Sequence, residues 1–298
     1  MNKQKIVFCF LVLFSLVEIK AFSLPEKKDS IRPNCKKIAT SISLSTAAAG
    51  SQALLYSLWY APYSSGKFHF FNDWNEWRKM DKLGHAYTAY HVSSATYDAL
   101  CWSGYSQNKS LIIASSASWL YQGFIEVMDG FSDGWGFSVP DVIFNSIGTG
   151  LFVLEKKFKK SILLPKFSYA PSPYANLRPE VLGSTSLSRI LKDYNAQTYW
   201  LGIRINSIIP SSKSKWLMLS VGYSINEHLV GDQLSVNLNG NIYNSYTQLL
   251  FSLDIDPTAL PIRNKLLKKI VLPLKYIKIP FPTLGIENGN VRFYPIYF

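Results

Sequence analysis

The chain has 298 residues, of which 48% are hydrophobic and 15% aromatic. This composition excludes a disordered protein and is sufficient for a large core or for contact with a membrane. The formal net charge is +12, and much of the excess lies in basic runs at residues 156–160 and 263–278. Basic runs beside apolar segments favour a membrane surface or bilayer as partner. Because no nucleic-acid-binding motif accompanies them, the sequence argues against a nucleic-acid partner.

The N-terminal residues 1–21 are typical of a signal peptide, because Lys3 and Lys5 precede an apolar run that is too short to span a bilayer. Residues 22–37 are charged and proline-containing, and we interpret them as a linker. Neither Cys9 nor Cys35 has the small-residue context of a lipid-attachment cysteine. We therefore expect an exported protein without a lipid anchor, on the periplasmic side of the cell envelope and associated with a membrane.

Two cysteines, Cys35 and Cys101, remain after removal of the signal peptide. Cys35 precedes the first predicted helix and Cys101 ends the second, so antiparallel packing of these helices would bring the two thiols together. An oxidising compartment would then allow one disulfide. The alternative is a pair of free buried thiols, and the sequence leaves both open.

Residues 38–160 predict a bundle of about four apolar helices. The first extends to Tyr60 before Pro62, and residues 38–60 are the one stretch long enough to cross a membrane alone. The second helix spans about 79–100 and the third about 110–128, while the fourth begins at Ser138. The loop at 68–77 is dense in aromatic residues, as in an interfacial belt, a lid or a packing cluster.

After residue 160 the pattern changes. Four prolines make residues 161–192 an irregular connection, and residues 193–298 alternate as antiparallel strands, with a short basic helix at 262–274. The terminal Tyr297 and Phe298 resemble the end of an outer-membrane strand, but the predicted strands are too few for a closed membrane barrel. The predicted fold class is α+β: a helical bundle followed by a small antiparallel sheet.

Polar residues recur one helical turn apart within these apolar helices. Asp81 and His85 share a face of the second helix, Gln122 and Glu126 a face of the third, and Asp141 and Asn145 a face of the fourth. Ionisable groups in apolar helices are costly unless paired, so they usually have a function. If the helices pack side by side, these groups converge. The candidate catalytic residues are His85, Glu126 and Asp141, and the candidate binding residues are Asp81, Lys82, Asp129 and Asn145.

This cluster allows three interpretations. His85, Glu126 and Asp141 are a plausible ligand set for a divalent metal, which is the one cofactor that the sequence suggests. The same residues suit general acid–base catalysis, because a histidine beside carboxylates titrates near neutral pH. A hydrogen-bonded network that only fixes helix register would look similar. The remaining histidines, His69, His91 and His228, are interpreted as structural or exposed.

Several motifs resemble a known family. They are residues 68–73, 76–77, 80–85, 125–132 and 135–136, then Asp141, residues 145–148 and residues 192–200. Together they resemble the YfiM-like family of predicted periplasmic proteins and lipoproteins, which carry a domain of unknown function. A looser resemblance connects Asp81, Lys82, His85, Glu126, Asp141, Asn145 and Gly148 to the VanZ-like membrane proteins. Neither resemblance implies an established reaction.

The sequence therefore predicts an uncharacterised cell-envelope protein with a binding or structural role, built on a His/Glu/Asp/Asn cluster inside a helical bundle. The alternative is a metal- or acid–base-dependent enzyme that acts on an envelope lipid or glycan precursor. Whether any reaction is catalysed stays open at this stage.

Overall fold

The computed structural model describes residues 33–61, 63, 65–158 and 162–298. The predicted signal peptide and Cys9 lie outside the described residues. The predicted α+β class is confirmed, and the chain divides into two compact units. The helical unit contains the described residues up to Trp74 and those from His85 to 158, and the sheet unit contains Asn75–Gly84 and the residues from 162 onward.

Long helices build the helical unit. They are α1 (Pro33–Leu55), α2 (Met80–Ser103), α3 (Gln107–Gly130) and α4 (Val139–Phe158). The division between the units falls inside α2, after Gly84. α1 continues into a π-helical turn, Tyr56–Tyr60, so the segment 38–60 is not one regular α-helix. The boundaries of α2, α3 and α4 lie within a few residues of the predicted ones.

The polarity of α3 is the reverse of that in a water-soluble helix. Its buried residues recur every four positions and are small or polar: Ser110, Ala114, Ser118, Gln122, Glu126 and Gly130. Large apolar side chains lie outside, including Leu120 at 65% exposed and Phe124 at 53%. A helix of a soluble protein turns its apolar face inward. Here the apolar face of the helix is left uncovered within the described chain.

α4 has the same reversed pattern. Its buried positions include Asp141, Asn145 and Gly148, whereas Ile147 and Leu154 are exposed. Among the described residues, α3 is the one helix long and apolar enough to cross a membrane, with a mean hydropathy of 1.2. The sequence had favoured residues 38–60 for such a crossing. Only 22% of the apolar window of α3 is buried, so its hydrophobicity does not come from a protein core.

Small residues allow the helices to approach closely. A Cβ atom on Gly148 of α4 would lie 2.1 Å from the backbone oxygen of Ala86 on α2. The hydroxyl of Ser118 on α3 donates to the backbone oxygen of Ala89 on α2 at 2.8 Å. Contacts of this kind are typical of helices that pack through small residues rather than through a hydrophobic core.

The two ends of the bundle differ in chemistry. At one end, lysine amines lie over aromatic rings of the α2 C-terminal region: Lys36 over Trp102, Lys37 over Tyr105 and Lys156 over Tyr97. At the other end, isolated β-bridges join Ser65 to Ser132 and Phe70 to Phe137. The aromatic loop there packs Phe68 against Phe70, Phe131 and Phe137. One end therefore carries lysines beside aromatic rings, and the other carries a cluster of phenylalanines.

Cys35 and Cys101 are both free thiols, the first exposed and the second half-buried. The disulfide considered from the sequence is therefore not formed. The alternative of two buried thiols is wrong for Cys35, which is exposed, and Cys101 is only partly buried.

The sheet unit contains six antiparallel strands in the order β1-β2-β3-β6-β7-β8, with a separate β4–β5 hairpin. The strands are β1 (Leu163–Tyr169), β2 (Gln197–Arg204), β3 (Leu217–Asn226), β4 (Ser235–Leu238), β5 (Asn241–Asn244), β6 (Tyr246–Ile255), β7 (Phe281–Glu287) and β8 (Asn290–Tyr297). Short helices connect them: α5 (Pro179–Leu182), α6 (Ser186–Lys192), α7 (Ile205–Ile208) and α8 (Lys265–Val271). The basic helix predicted at 262–274 corresponds to α8.

The region 161–192 is more regular than the sequence indicated, because β1, α5 and α6 lie within it. Pro165 is compatible with β1 because this strand is at the edge of the sheet, where a missing N–H costs no ladder hydrogen bond. The small core of the sheet unit lies around Trp77 and Met80. Its other buried members are Ala175, Leu182, Tyr194, Ile225 and Leu229.

The sheet buries charge on one face. Lys166 of β1 and Asp254 of β6 are both fully buried and form an ion pair of 2.8 Å. Lys278 is 2% exposed, donates to the backbone oxygen of Ile279 at 2.6 Å and lies 5.0 Å from the Trp200 ring centroid. Burial, with a smaller contribution from the Lys166 charge, lowers the pKa of Lys278 to about 8, although Asp254 opposes the shift.

This pKa predicts a pH-dependent stability for the sheet unit. Between about pH 8 and the ordinary lysine value of 10.5, the unfolded chain holds a proton at Lys278 that the folded protein has released. The contribution of Lys278 to the unfolding free energy should therefore rise with pH over this window. Urea unfolding at several pH values would measure it for the wild type and Lys278→Met. A constant difference between the two proteins from pH 7 to 10 would contradict the prediction.

Candidate functional site

The helical unit brings together three of the residues selected from the sequence. His85 lies near the start of α2, Glu126 near the end of α3 and Asp141 in the first turn of α4. The Nδ1 atom of His85 is 3.4 Å from Oε1 of Glu126, and its Nε2 atom is 3.9 Å from Oδ2 of Asp141. The imidazole therefore stands between two carboxylates, one at each ring nitrogen. Glu126 is fully buried and the His85 side chain is 14% exposed.

A chain of hydrogen bonds fixes the tautomer of His85. The side-chain amide of Gln122 donates to the backbone oxygen of His85 at 3.3 Å and to Oδ1 of Asn145 at 2.9 Å. A backbone oxygen only accepts, so the nitrogen of Gln122 must face it, and Oδ1 of Asn145 is then an acceptor. The same Oδ1 atom lies 3.1 Å from Nδ1 of His85. Nδ1 must therefore carry a proton, which it donates to Oδ1 of Asn145, with the Glu126 carboxylate 3.4 Å from the same nitrogen.

The other ring nitrogen is then the chemically active one. In a neutral imidazole with its proton on Nδ1, the lone pair on Nε2 points toward the carboxylate of Asp141. Two acceptors 3.9 Å apart repel each other unless a proton or a cation lies between them. The distance is longer than a hydrogen bond and leaves room for one metal ion about 2.0–2.2 Å from each of the two atoms. This pair is suited to hold a cation or to exchange a proton.

Local structure positions Asp141 at the start of α4. The Ser138 hydroxyl accepts from the backbone N–H of Asp141 at 3.1 Å, as an N-capping side chain does, and donates to Oδ1 of Asp73 at 2.6 Å. Pro140 in the first turn needs no hydrogen-bond donor there. The carboxylate of Asp141 is thereby held at a helix N-terminus, where negative charge is stabilised.

Besides Asn145, which contacts His85, the candidate binding residues are Asp81, Lys82 and Asp129. Asp81 and Lys82 belong to the sheet unit, where they form an ion pair of 3.1 Å and the Tyr194 hydroxyl donates to Asp81 at 2.9 Å. Lys82 is fully buried, and Asp81 lies one turn before His85 on the same helix. Asp129 is half-buried beside the last residue of α3, and its backbone oxygen accepts from Ser132 at 3.0 Å.

Two further sets of contacts were not selected from the sequence. Gln122 was recognised as lying one turn from Glu126, but its role in fixing Asn145 and His85 depends on contacts between three helices. In the sequence, the signal for Gln122 was its position one turn before Glu126 on an apolar helix. His228, interpreted from the sequence as structural or exposed, is fully buried and hydrogen-bonded to Ser245 at 2.7 Å. No pattern in the sequence pairs these two residues.

Comparison with known proteins gives one match. Residues 69–157 match the model of a family described as predicted periplasmic lipoprotein (DUF2279), and this range contains His85, Glu126, Asp141 and Asn145. No curated protein and no solved structure shows significant similarity to the chain. The match confirms the predicted periplasmic, membrane-associated localisation and supports an uncharacterised envelope protein with a domain of unknown function. The finer resemblances to YfiM-like and VanZ-like proteins stay predictions.

Proposed function

We propose that the helical unit binds a divalent cation between Nε2 of His85 and Asp141, inside a bundle whose apolar outer faces contact membrane lipid. The observation that carries this proposal is the fixed tautomer of His85, which directs a lone pair at a carboxylate 3.9 Å away. The role is one of binding, in agreement with the first of the two functions predicted from the sequence.

The surroundings of His85 support cation binding over a purely structural network. A metal-binding histidine almost always donates its second ring N–H to a carboxylate or carbonyl group, which orients the ring. Glu126 and Asn145 occupy this position at Nδ1. Glu126 and Asp141 lie at different ring nitrogens, so one cation cannot be shared by His85 and both carboxylates. His85 and Asp141 are therefore the proposed ligands, and Glu126 orients the His85 ring.

The cation would complete its coordination from further oxygen donors. Within the described chain, Nδ2 of Asn145 has no hydrogen-bond partner although the residue is 1% exposed. A buried donor of this kind needs an acceptor, and a metal-bound water would supply one. Nitrogen and oxygen ligands together suit Zn²⁺ or Mn²⁺ better than softer metals.

The membrane setting follows from the reversed polarity of α3 and α4. Lipid-facing helices expose apolar side chains and turn their polar residues toward each other. α3 has 24 residues and is about 36 Å long at 1.5 Å per residue, enough to cross a hydrocarbon core of about 30 Å. Lysines and aromatic rings at one end and a cluster of phenylalanines at the other suit the two interfaces. His85 lies near the phenylalanine end, which would leave the site accessible from one side of the membrane.

Equilibrium dialysis of detergent-purified protein against Zn²⁺ and Mn²⁺, followed by elemental analysis, tests the proposal. We expect one ion per chain, and His85→Gln or Asp141→Asn should weaken binding by more than about 100-fold. Asn145→Ala removes only an orienting contact and should cost about 10–100-fold. His91→Gln is the control, because His91 is a buried histidine on the same helix. Unchanged binding in both ligand variants, or no binding by the wild type, would contradict the proposal.

The second candidate function is general acid–base catalysis on an envelope lipid or glycan precursor. The observation that favours it is Glu126 at 3.4 Å from Nδ1, because a carboxylate there stabilises the imidazolium that forms when Nε2 takes up a proton. Glu126→Gln separates the two functions. This substitution should slow a proton-transfer reaction strongly. It should lower the metal content only as far as the loss of one orienting contact does.

A further inference from the structure

A second group of polar side chains lies in the sheet unit. Ser245 stands between β5 and β6, His228 in the loop after β3, and Arg78 in the 3-10 turn before α2. The Ser245 Oγ atom is 2.7 Å from Nδ1 of His228 and 2.6 Å from Nε of Arg78. Arg78 also donates to the backbone oxygen of Ser245. One hydroxyl is therefore held between an imidazole and a guanidinium.

The positions of the protons follow from the acceptors present. Nε2 of His228 lies 3.2 Å from the backbone oxygen of Gly231, which only accepts, so Nε2 carries the proton and Nδ1 has a lone pair. The guanidinium of Arg78 only donates, so its Nε–H points at the oxygen of Ser245. The hydroxyl proton of Ser245 is left to donate to Nδ1 of His228. This is the arrangement in which a base activates a serine nucleophile.

The surroundings keep His228 neutral. The residue is fully buried and its ring packs against Trp77 with a centroid distance of 5.2 Å. Burial lowers the pKa of the His228 imidazole, and the Arg78 charge lowers it further, while the hydrogen bond to Gly231 and the Asp232 charge oppose these effects. An imidazole with a depressed pKa stays available as a base at neutral pH.

The turn that carries Arg78 is strained. Trp77, Arg78 and Lys79 have φ values of 47°, 47° and 67°, in the left-handed region that such side chains rarely adopt. Tertiary contacts hold this turn, because the Tyr223 hydroxyl donates to the Arg78 backbone oxygen at 2.8 Å and the Trp77 N–H donates to Gly231 at 2.7 Å. Strain of this kind persists where the surrounding structure imposes it, and it is concentrated at functional sites.

Ser245 and Arg78 also line an open groove of about 480 Å³. The other residues of the groove are largely apolar or aromatic, among them Tyr223, Tyr246, Leu249 and Ile286. Arg78 is the charged group in this lining. A ligand with an apolar chain and an oxygen-rich reacting group would match this distribution.

We propose that Ser245 is the nucleophile of a second site, which cleaves carboxylic esters with an apolar acyl chain. The Ser245 oxygen forms a bond to the acyl carbon while its proton passes to Nδ1 of His228. The bond from the acyl carbon to the alcohol oxygen then breaks, and His228 returns the proton to the leaving alkoxide. Water then gives a proton to His228 and its oxygen forms a bond to the acyl carbon. The bond from the acyl carbon to the Ser245 oxygen breaks, which releases the carboxylic acid, and His228 returns the proton to Ser245. Arg78 stabilises negative charge on the serine oxygen during attack.

The test is labelling of the full-length, detergent-purified protein with an alkyl fluorophosphonate, which transfers its phosphonyl group to an activated serine with loss of fluoride. Peptide mass spectrometry should locate one adduct on Ser245. Ser245→Ala should abolish labelling, and His228→Asn should slow it by about 100-fold or more. Ser235→Ala on the neighbouring strand β4 is the matched control and should label as the wild type does. Because the adduct is located in the wild type, the result does not depend on the stability of any variant.

An adduct on another serine, or folded protein that is not labelled at all, would overturn the proposal. So would a labelling rate unchanged by His228→Asn. Labelling on Ser245 without turnover of a p-nitrophenyl ester of medium chain length would also overturn it, since the proposed activity is ester cleavage. The site lies in the sheet unit and is independent of cation binding at His85.

Discussion

Replacing Gly148 by alanine is expected to destabilise the helical unit by about 1–3 kcal/mol or more, the usual cost of overpacking. The added Cβ would lie 2.1 Å from the backbone oxygen of Ala86, which cannot rotate away as a flexible side chain could. α4 must then move away from α2, and this separates Asp141 and Asn145 from His85. We therefore expect both a lower thermal unfolding temperature in detergent and weaker metal binding.

Gly150 is the matched control, because it lies on the same helix and a Cβ there would have no neighbour within 4 Å. Gly150→Ala should stabilise the helix by up to about 1 kcal/mol, the difference in helix propensity between the two residues. Opposite changes in unfolding temperature for these two substitutions are the expected result. Equal changes would show that α2 and α4 do not pack as closely as the structure has them.

Replacing Leu120 by arginine is expected to prevent stable insertion of α3 into a membrane. Leu120 lies near the middle of the helix and is 65% exposed. At the centre of a membrane-spanning helix, arginine costs about 2.5–3.5 kcal/mol on insertion scales, whereas an exposed position in water changes stability by about 0.5 kcal/mol or less. Alkaline carbonate extraction of the membrane fraction, with immunodetection of the protein, measures the difference.

Leu120→Ala separates the effect of the charge from the loss of the leucine side chain, because alanine shortens the side chain without adding charge. We expect this variant to stay in the membrane fraction and the arginine variant to be extracted or degraded. Full retention of Leu120→Arg at wild-type levels would mean that α3 faces water, and the membrane setting proposed for the cation site would be wrong.

The helical unit could be predicted largely from the sequence because its signals are local. Polar residues one turn apart, such as Asp141 and Asn145, define the inner face of an apolar helix, and the convergence of His85, Glu126 and Asp141 requires only that three such faces meet. The reversed polarity was harder to recognise. Which side of α3 is covered depends on its neighbours, and Leu120 or Phe124 could equally belong to a buried core.

The sheet unit was less predictable because its contacts are long-range. Prolines concealed β1, since the sequence does not reveal that Pro165 lies in an edge strand. The buried ion pair of Lys166 and Asp254 joins two strands far apart in the sequence. The same limitation applies to Ser245 and His228, neither of which lies in a recognisable catalytic motif. A strained turn and a hydrogen bond across a loop bring them together, and neither can be read from residue spacing.

X-ray absorption spectroscopy of the zinc-loaded protein tests the central claim most directly, because it reports the atoms that surround the bound ion. The account predicts a first shell of nitrogen and oxygen at about 2.0–2.2 Å with the multiple scattering of one imidazole, and loss of this imidazole signal in His85→Gln. A zinc shell without an imidazole, or one unchanged by the His85 substitution, would contradict it.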